Sequence, residues 1–433
     1  MALRIVMTFG GEGELHPEMV RDGRALNGIR TAILALCSAL AQRGHDVHLF
    51  ARCSRAERQA GVAWHDRAEF AGFAQVEAVD VLVAVPPVLP LLMPLHARAR
   101  VVWSGNAFRA GDCMLCVPYP WAPELGRAGQ TARLYSPRVW QPYADRIVVK
   151  SQWQAAYMRD TLAIPGETFT VAYNGVPLQH YQGPAPLRHR RRLVYASEAR
   201  RGLDVLLGLF PRIRTVVPEA EVHIFGYEYG STEGLPALPG AHQPNVIWHG
   251  RVDKKTLADE LRAAGVMAYP CTLKETFCTA VAEAQAAGLP VVTSDRAALA
   301  ERVTPGVDGF LIAGHPADPA YQSAFIDAVL QLLHNDELWT CMSTEATRKA
   351  QQAYDWEAIA AAWEDDLTRL VAGRAPLPPR HDGTLDLCDP SLLRISDRGV
   401  SAQIPGELAA QWLQEAWAAY GYDLGAIPGL RAA

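Results

Sequence analysis

The sequence predicts an α/β protein made of two doubly wound domains that face each other across a cleft. Short apolar runs alternate with amphipathic helices in both halves of the chain, as in parallel sheets covered on both faces. The alternation breaks once, at a stretch rich in proline and arginine. At 433 residues the chain also exceeds what one ordinary hydrophobic core organises.

In the first half, Leu3–Phe9 is an apolar run read as the opening strand, and the loop Gly10–Arg24 is rich in glycine and charge. A helix follows, with Ile29, Ile33, Leu36 and Leu40 on one face, and it stops at Arg43-Gly44, a basic last turn before a C-cap glycine. Val47–Ala51, Val81–Val85, Arg100–Trp103 and Arg146–Val149 are the further strands. In the second half, Arg192–Ala196, Glu221–Phe225, Val246–His249, Val266–Tyr269 and Pro290–Thr293 read as strands. Leu203–Leu209, Thr256–Ala264, Thr279–Ala287 and Ala324–Leu333 read as the helices between them. No repeat of fixed short period is visible. The expected division is 1–177, a linker over 178–192, a second domain over 193–355, a strong helix over 356–371 and an extension over 372–433 that holds a helix candidate at Gly406–Ala419. The linker carries Pro184, Pro186 and the run Arg188-His189-Arg190-Arg191-Arg192, expected to be a solvated charge run.

Composition narrows the classes of function. Asp plus Glu number 46 against 41 Lys plus Arg, a net charge of −5, so no sequence-wide nucleic-acid surface is expected. The longest apolar stretches, such as Val81–Pro90, run to about ten residues, too short to span a bilayer, so stable membrane insertion is not expected. Residues Met1–Phe9 read as a strand rather than a signal peptide. Eight cysteines without an export signal then point to reduced thiols and a cytoplasmic location. Cys113 and Cys116 have CxxC spacing, but no second ligand pair is near, and two thiols lining a loop is the favoured reading. Gly11-Glu12-Gly13 fails the dinucleotide fingerprint at its last position, which is His16.

The chemistry concentrates in Tyr269-Pro270-Cys271-Thr272-Leu273-Lys274-Glu275-Thr276-Phe277-Cys278-Thr279, running on through Glu283 to Gly288-Leu289-Pro290-Val291-Val292. A strand ends at Pro270 and a helix starts near Thr279, so the N–H groups around Thr276–Thr279 sit at a helix N-terminus able to bind a diphosphate. Glu275 and Glu283 stand at either end of that stretch and can grip hydroxyl-bearing rings on both sides of a phosphate. Spacing alone is also satisfied by simple dipole pairing.

The full string resembles the Glu-x7-Glu segment of the group-1, GT4-type retaining glycosyltransferases of the GT-B fold. Asn27-Gly28-Ile29-Arg30-Thr31-Ala32 resembles that family's first loop and helix, and Asn174-Gly175-Val176 the turn closing its first domain. Arg200-Arg201-Gly202-Leu203 is similar to its basic helix start, His249-Gly250-Arg251-Val252 to the turn that meets the base, and Pro305–Ile312 to the turn after the donor site. These matches run in family order from residue 3 to about 371.

The resemblance implies a nucleotide-sugar donor, with UDP or GDP as the nucleotide. It implies that Glu275 contacts the transferred sugar and Glu283 the ribose, with the amides of Thr276, Phe277, Cys278 and Thr279 facing sugar and diphosphate. Arg201 takes the place of the family's phosphate-neutralising lysine and Arg200 assists. Arg251 and Val252 meet the base, while Asn27 and Gly28 stand for the family's two loop glycines. A guanidinium suits the task because it stays charged and offers paired N–H groups to phosphate. Retention implies attack on the face the diphosphate leaves, without an enzymic nucleophile. No Ser/His/Asp or Cys/His signature is present, and no Asp-x-Asp, so neither metal nor other cofactor is expected. The chain departs from the pattern at Ala196-Ser197, where the family has an arginine, leaving Ser197 as the polar donor-side group. It departs again where an acceptor-side histidine is replaced by Asn106. His16 and Trp121, the latter in the aromatic stretch Val117–Trp140, are the other acceptor-side candidates. The expected acceptor is a small soluble molecule, such as an intermediate of natural-product or antibiotic biosynthesis. The alternative is a non-catalytic relative that binds sugar nucleotides. Residues 372–433 have no family counterpart and are expected to cap the first domain, shape the acceptor site or mediate homodimer contacts.

Overall fold

The computed structural model describes residues 1–11, 14–16, 18–86, 88–105, 115–118, 131–134, 141–162, 164–184, 186–226 and 238–378, apart from 22–25, together with short strands at 385–386, 394–397, 400–403 and 430–431. Asn106, Cys113, Trp121 and the helix candidate Gly406–Ala419 lie outside the described residues.

Strands β1 (Arg4–Phe9), β2 (Asp46–Ala51), β3 (Glu57–Gln59), β4 (Val62–Asp66), β5 (Ala78–Val85) and β6 (His96–Trp103) belong to the first sheet. Strands β7 (Leu115–Pro118) and β8 (Thr131–Leu134) pair in a separate sheet with Arg394–Asp397 and Val400–Gln403. With β9 (Arg146–Val149) and β10 (Phe169–Val171), the first sheet has the order β10-β9-β6-β5-β1-β2-β4-β3, parallel except at β3. The second sheet joins β11 (Arg192–Ala196), β12 (Glu221–Phe225), β13 (Val246–Gly250), β14 (Val266–Tyr269), β15 (Val291–Ser294) and β16 (Gly309–Ile312). Its order is β13-β12-β11-β14-β15-β16, parallel throughout. Both are doubly wound sheets with a reversal of strand order, and ligands bind such sheets at the carboxyl ends of their strands.

Helices α1 (Gly28–Gln42) and α2 (Gln152–Leu162) pack on the first sheet. The second carries α3 (Leu203–Val216), α4 (Lys254–Ala263), α5 (Thr279–Ala286), α6 (Pro319–His334) and α7 (Asp336–Ala353). Helix α8 (Trp356–Val371) returns to the first domain. There Ile359, Ala360, Trp363, Leu367, Leu370 and Val371 join the core formed by β1, β2, β5 and α1, with the Trp363 ring edge-on to Trp103 at 5.3 Å.

Some elements depart from the pattern reading for physical reasons. Helix α3 continues past Leu209 because Phe210 and Ile213 are buried on its inner face and the Leu207 carbonyl, which Pro211 has no N–H to bond, accepts from Gln243 Nε2 at 2.9 Å. Helix α7 was not expected. Its buried face, Trp339, Met342, Ala346 and Ala350, is half alanine and too weakly apolar to stand out as a stripe. The arginine run of 188–192 is not a solvated linker. Arg188 donates to the carbonyls of Ala264 (3.1 Å) and Ala287 (2.6 Å), Arg190 donates to that of Leu332, and both guanidinium groups lie over the Trp339 ring. They clamp the entry of the second domain onto its own helices.

The two sheets share a construction too divergent in spacing to read as a period. β2 runs Asp46-Val47-His48-Leu49-Phe50 and β12 runs Glu221-Val222-His223-Ile224-Phe225, while β4 and β13 each carry Trp-His, at Trp64-His65 and Trp248-His249. In the first domain His48 Nδ1 and His65 Nε2 share a hydrogen bond of 3.0 Å, His48 Nε2 bonds Asp46, and Phe50 stacks on His65 at 4.4 Å. In the second, His223 Nδ1 and His249 Nε2 share one of 2.9 Å, His223 Nε2 bonds Glu221, and Phe225 stacks on His249 at 4.3 Å. Burial, reinforced by His48, Arg58 and Arg4, pushes His65 down to about 4. The folded state therefore binds fewer protons than the unfolded chain below pH ~6.5, and stability falls as pH drops from there towards 4. Urea unfolding followed over that window is expected to show the loss, and His65→Asn to flatten it.

Candidate active site

Two helix N-termini meet across the cleft. Asn27 caps α1, its Oδ1 accepting the Arg30 N–H at 3.1 Å, so Gly28 opens the helix. A Cβ on Gly28 would sit 3.3 Å from Thr279 Oγ1, the first residue of α5. The positive ends of the two helices thus lie next to one another, one from each domain. Thr276 Oγ1 donates to the Gly105 carbonyl at 3.0 Å, and Glu301 accepts the N–H groups of Gln152 and Trp153 at the start of α2, at 3.0 and 2.6 Å. These bonds hold the two facing domains together beside the helix ends.

Each of the two acids has its own cation. Glu275, 7% exposed, accepts from Arg201 Nη1 at 2.5 Å and from the Tyr269 hydroxyl at 2.8 Å. Burial alone would weaken the charge on Arg201, but Glu275 and its other neighbours overcome this and hold the guanidinium pKa above its ordinary value. Arg201 ends a short turn closed by Gly202 at φ +115°, and the Thr272 N–H donates to the Arg201 carbonyl at 3.2 Å. Glu283, 3% exposed, accepts from Lys254 Nζ at 2.5 Å. Sequence reasoning missed Lys254. Its signal was Asp253, whose carboxylate accepts from the N–H groups of Lys255 and Thr256 and so fixes the start of α4.

The remaining predicted groups fall into place unevenly. Phe277 is buried, flanked by Tyr173, Tyr354 and the buried guanidinium of Arg302, so its side chain belongs to the core. Arg302, also missed, lies 3.8 Å from the Tyr173 ring centre and braces that wall. Ser197 Oγ lies 3.4 Å from the Tyr269 hydroxyl, close to the Glu275 cluster. Arg200 points outward, paired with Glu198 at 2.7 Å, and is not brought into the cluster. Arg251 is exposed and Val252 half-buried, on the turn between β13 and α4. His16 is buried in its loop, where Nδ1 accepts the Glu18 N–H at 3.2 Å.

Cys278 precedes α5 at φ +67°, a left-handed position that disfavours branched side chains. Burial raises its thiol well above the ordinary cysteine range and pushes Cys271 up to about 11, so neither sulfur is a thiolate nucleophile near neutral pH. Cys278→Gly is expected to leave stability within about 1 kcal/mol, whereas the β-branched Cys278→Val should lose roughly 2 kcal/mol or more. Equal denaturation midpoints for the two variants would show that the backbone here is not constrained.

The family model described as "Glycosyltransferase Family 4" matches residues 26–180, and the one described as "Glycosyl transferases group 1" matches residues 190–335, so the two domains are matched in turn. The chain belongs to the group-1, GT4-type glycosyltransferases. Phosphatidyl-myo-inositol mannosyltransferase of Mycobacterium tuberculosis is 28% identical over 221 residues, 48% of this chain and 54% of that protein. The chain thus spans about half the length of the curated relatives it matches first. A D-inositol 3-phosphate glycosyltransferase of Xylanimonas cellulosilytica is 28% identical over 340 residues, 72% of this chain and 73% of that protein. Among solved structures, HepE of Anabaena in complex with UDP-glucose superposes with a TM-score of 0.60 at 15% identity, over 85% of this chain and 100% of that one. That likeness shows the fold of this GT4-type chain, which is GT-B.

Among the described residues, no helix is long and apolar enough to cross a membrane.

Proposed function

We propose that the protein transfers a sugar from a nucleoside diphosphate sugar, UDP or GDP in type, to a small soluble acceptor, with retention of configuration. The observation that carries this is the facing of the α1 and α5 N-termini beside two buried acids, each already oriented by a cation. As the anomeric bond breaks, negative charge grows on the leaving diphosphate. The N–H groups of both helix ends and Arg201 are fixed donors aimed at that charge, and no metal is needed in this scheme. Arg201 turns from Glu275 to the phosphate, and Glu275, still held by Tyr269, accepts the sugar hydroxyls. Glu283 accepts the ribose hydroxyls, with Arg251 and Val252 lining the base. The acceptor hydroxyl then attacks on the face the diphosphate leaves and gives its proton to a phosphate oxygen, so the protein supplies no nucleophile. The reaction belongs in the cytoplasm, in the assembly of a natural product.

The test is thermal-shift screening against UDP-, GDP-, dTDP- and ADP-sugars, then product analysis. The UDP-glucose complex of HepE puts UDP-sugars first as donors. The names of the two relatives put inositol and inositol phosphate first as acceptors, beside amino-sugar and polyketide alcohols. Stabilisation by one donor with an axial anomeric product supports the reading. If no sugar nucleotide stabilises the protein the reading fails, and an inverted product removes the same-face step.

A further inference from the structure

We propose that His223, His249 and Glu260 form a site for one divalent transition-metal ion, Zn2+ by ligand chemistry, in the second domain. None of the three is used in the transfer scheme. One ligand atom from each lies within 4.8 Å of the others. His223 Nδ1 and His249 Nε2 are 2.9 Å apart. Two imidazoles bound to one zinc at about 2.0–2.1 Å hold their nitrogens only slightly further apart in a tetrahedral set, so a small parting of the rings admits the ion. The surroundings are those of a ligand set. His223 bonds Glu221 Oε2 at 3.1 Å through Nε2, the ring atom remote from the ion, which leaves the lone pair on Nδ1. Arg192 donates to Oε2 of Glu260 at 3.0 Å, which orients the carboxylate, and a carboxylate has a second oxygen to give to an ion. His249, stacked on Phe225, binds through Nε2 as the Nδ1–H tautomer, so no net proton is released there.

The first domain supplies an internal comparison. It has the same acid–His–His chain at Asp46, His48 and His65, but there the Phe73 ring lies 5.8 Å from His48 and 6.2 Å from His65, and the nearest further carboxylate, Glu69, meets His65 at Nδ1 (3.6 Å), the ring atom that does not face His48. In the second domain the neighbouring helix, α4, presents a carboxylate. Among the described residues, two imidazoles and a carboxylate gather within 4.8 Å in the second domain and not in the first, where Phe73 packs beside the rings. A bound ion would fasten α4 to β12 and β13, firming the turn that carries Arg251 and Val252.

The experiment is titration of the metal-free full-length protein with Zn2+ and with Co2+, read by calorimetry, melting temperature and visible absorption. Expected are one ion per chain, a raised melting temperature and cobalt bands without a thiolate charge-transfer band. Glu221→Gln should weaken binding about 10–100-fold. His249→Ala, and the gentler His249→Gln, should abolish it, while His65→Asn leaves it unchanged. Absence of binding to the wild-type protein overturns the proposal. So does binding that survives both His249→Gln and Glu260→Gln, loss of binding in His65→Asn, or a cobalt–thiolate band.

Discussion

Arg201→Met is expected to lower kcat about 10²–10³-fold, with the donor still bound through the helix ends and Glu283. The guanidinium is the side-chain cation the structure places on Glu275, 2.5 Å away, and the one the transfer scheme aims at the leaving group. Its loss also leaves the buried Glu275 carboxylate, among the described residues, with the Tyr269 hydroxyl alone as side-chain partner. That should cost about 2 kcal/mol of stability, less than for a fully enclosed pair because the Arg201 side chain is 27% exposed. The double variant Arg201→Met/Glu275→Gln should recover stability but not turnover. Steady-state kinetics and urea unfolding on the four proteins of this cycle separate the two roles. Arg200→Met should change the barrier by under about 1 kcal/mol, since Arg200 is exposed and paired to Glu198. An equal loss from both variants would mean that the phosphate is held at the surface, not at the Glu275 cluster.

Gly202→Ala should be the most damaging single methyl in the second domain. Gly202 sits at φ +115°, and a Cβ there would fall 2.0 Å from the Pro270 carbonyl oxygen. Left-handed backbone and overpacking act together, and the expected loss is roughly 3 kcal/mol. The effect reaches the site, because pushing Pro270 away shifts Thr272, which donates to the Arg201 carbonyl, and the loop to Glu275. Urea unfolding should show the loss, and kcat should fall further than the folded fraction explains. A Gly202→Ala protein within about 1 kcal/mol of wild type would show that the β14 end yields freely, against a close-packed account.

Much of this was legible from residue order. Strands Arg146–Val149, Arg192–Ala196 and Val266–Tyr269 stand where short, largely apolar runs place them, because a strand buried on both faces leaves a near-continuous signal. Glu275, Glu283 and Arg201 were visible as motif members, whereas Asn27 was read as standing for a loop glycine and its capping of α1 appears only in the structure. Their pairing was not. Arg201 meets Glu275 across 74 positions and Lys254 meets Glu283 across 29, and no local periodicity encodes which lysine of a helix start turns inward. The arginine run at 188–192 misled for a related reason: a guanidinium that stacks on Trp339 and caps helix carbonyls looks, in sequence, like one in water. The acid–His–His chains escaped because His48 and His65 are 17 apart while His223 and His249 are 26 apart.

Helix α8 has a consequence for how the molecule can be divided. It is the part of the chain that leaves the second domain and fills the core of the first, where Trp363 is 4% exposed and Leu367 1%. The two domains are therefore not beads on a string. A fragment of residues 1–177 would be missing a wall of its own interior, and residues 193–371 would carry that wall into water as a sticky amphipathic tail. Swapping domains between relatives of this fold thus needs its second junction placed before Trp356, so that α8 travels with the domain it completes rather than with the one it follows.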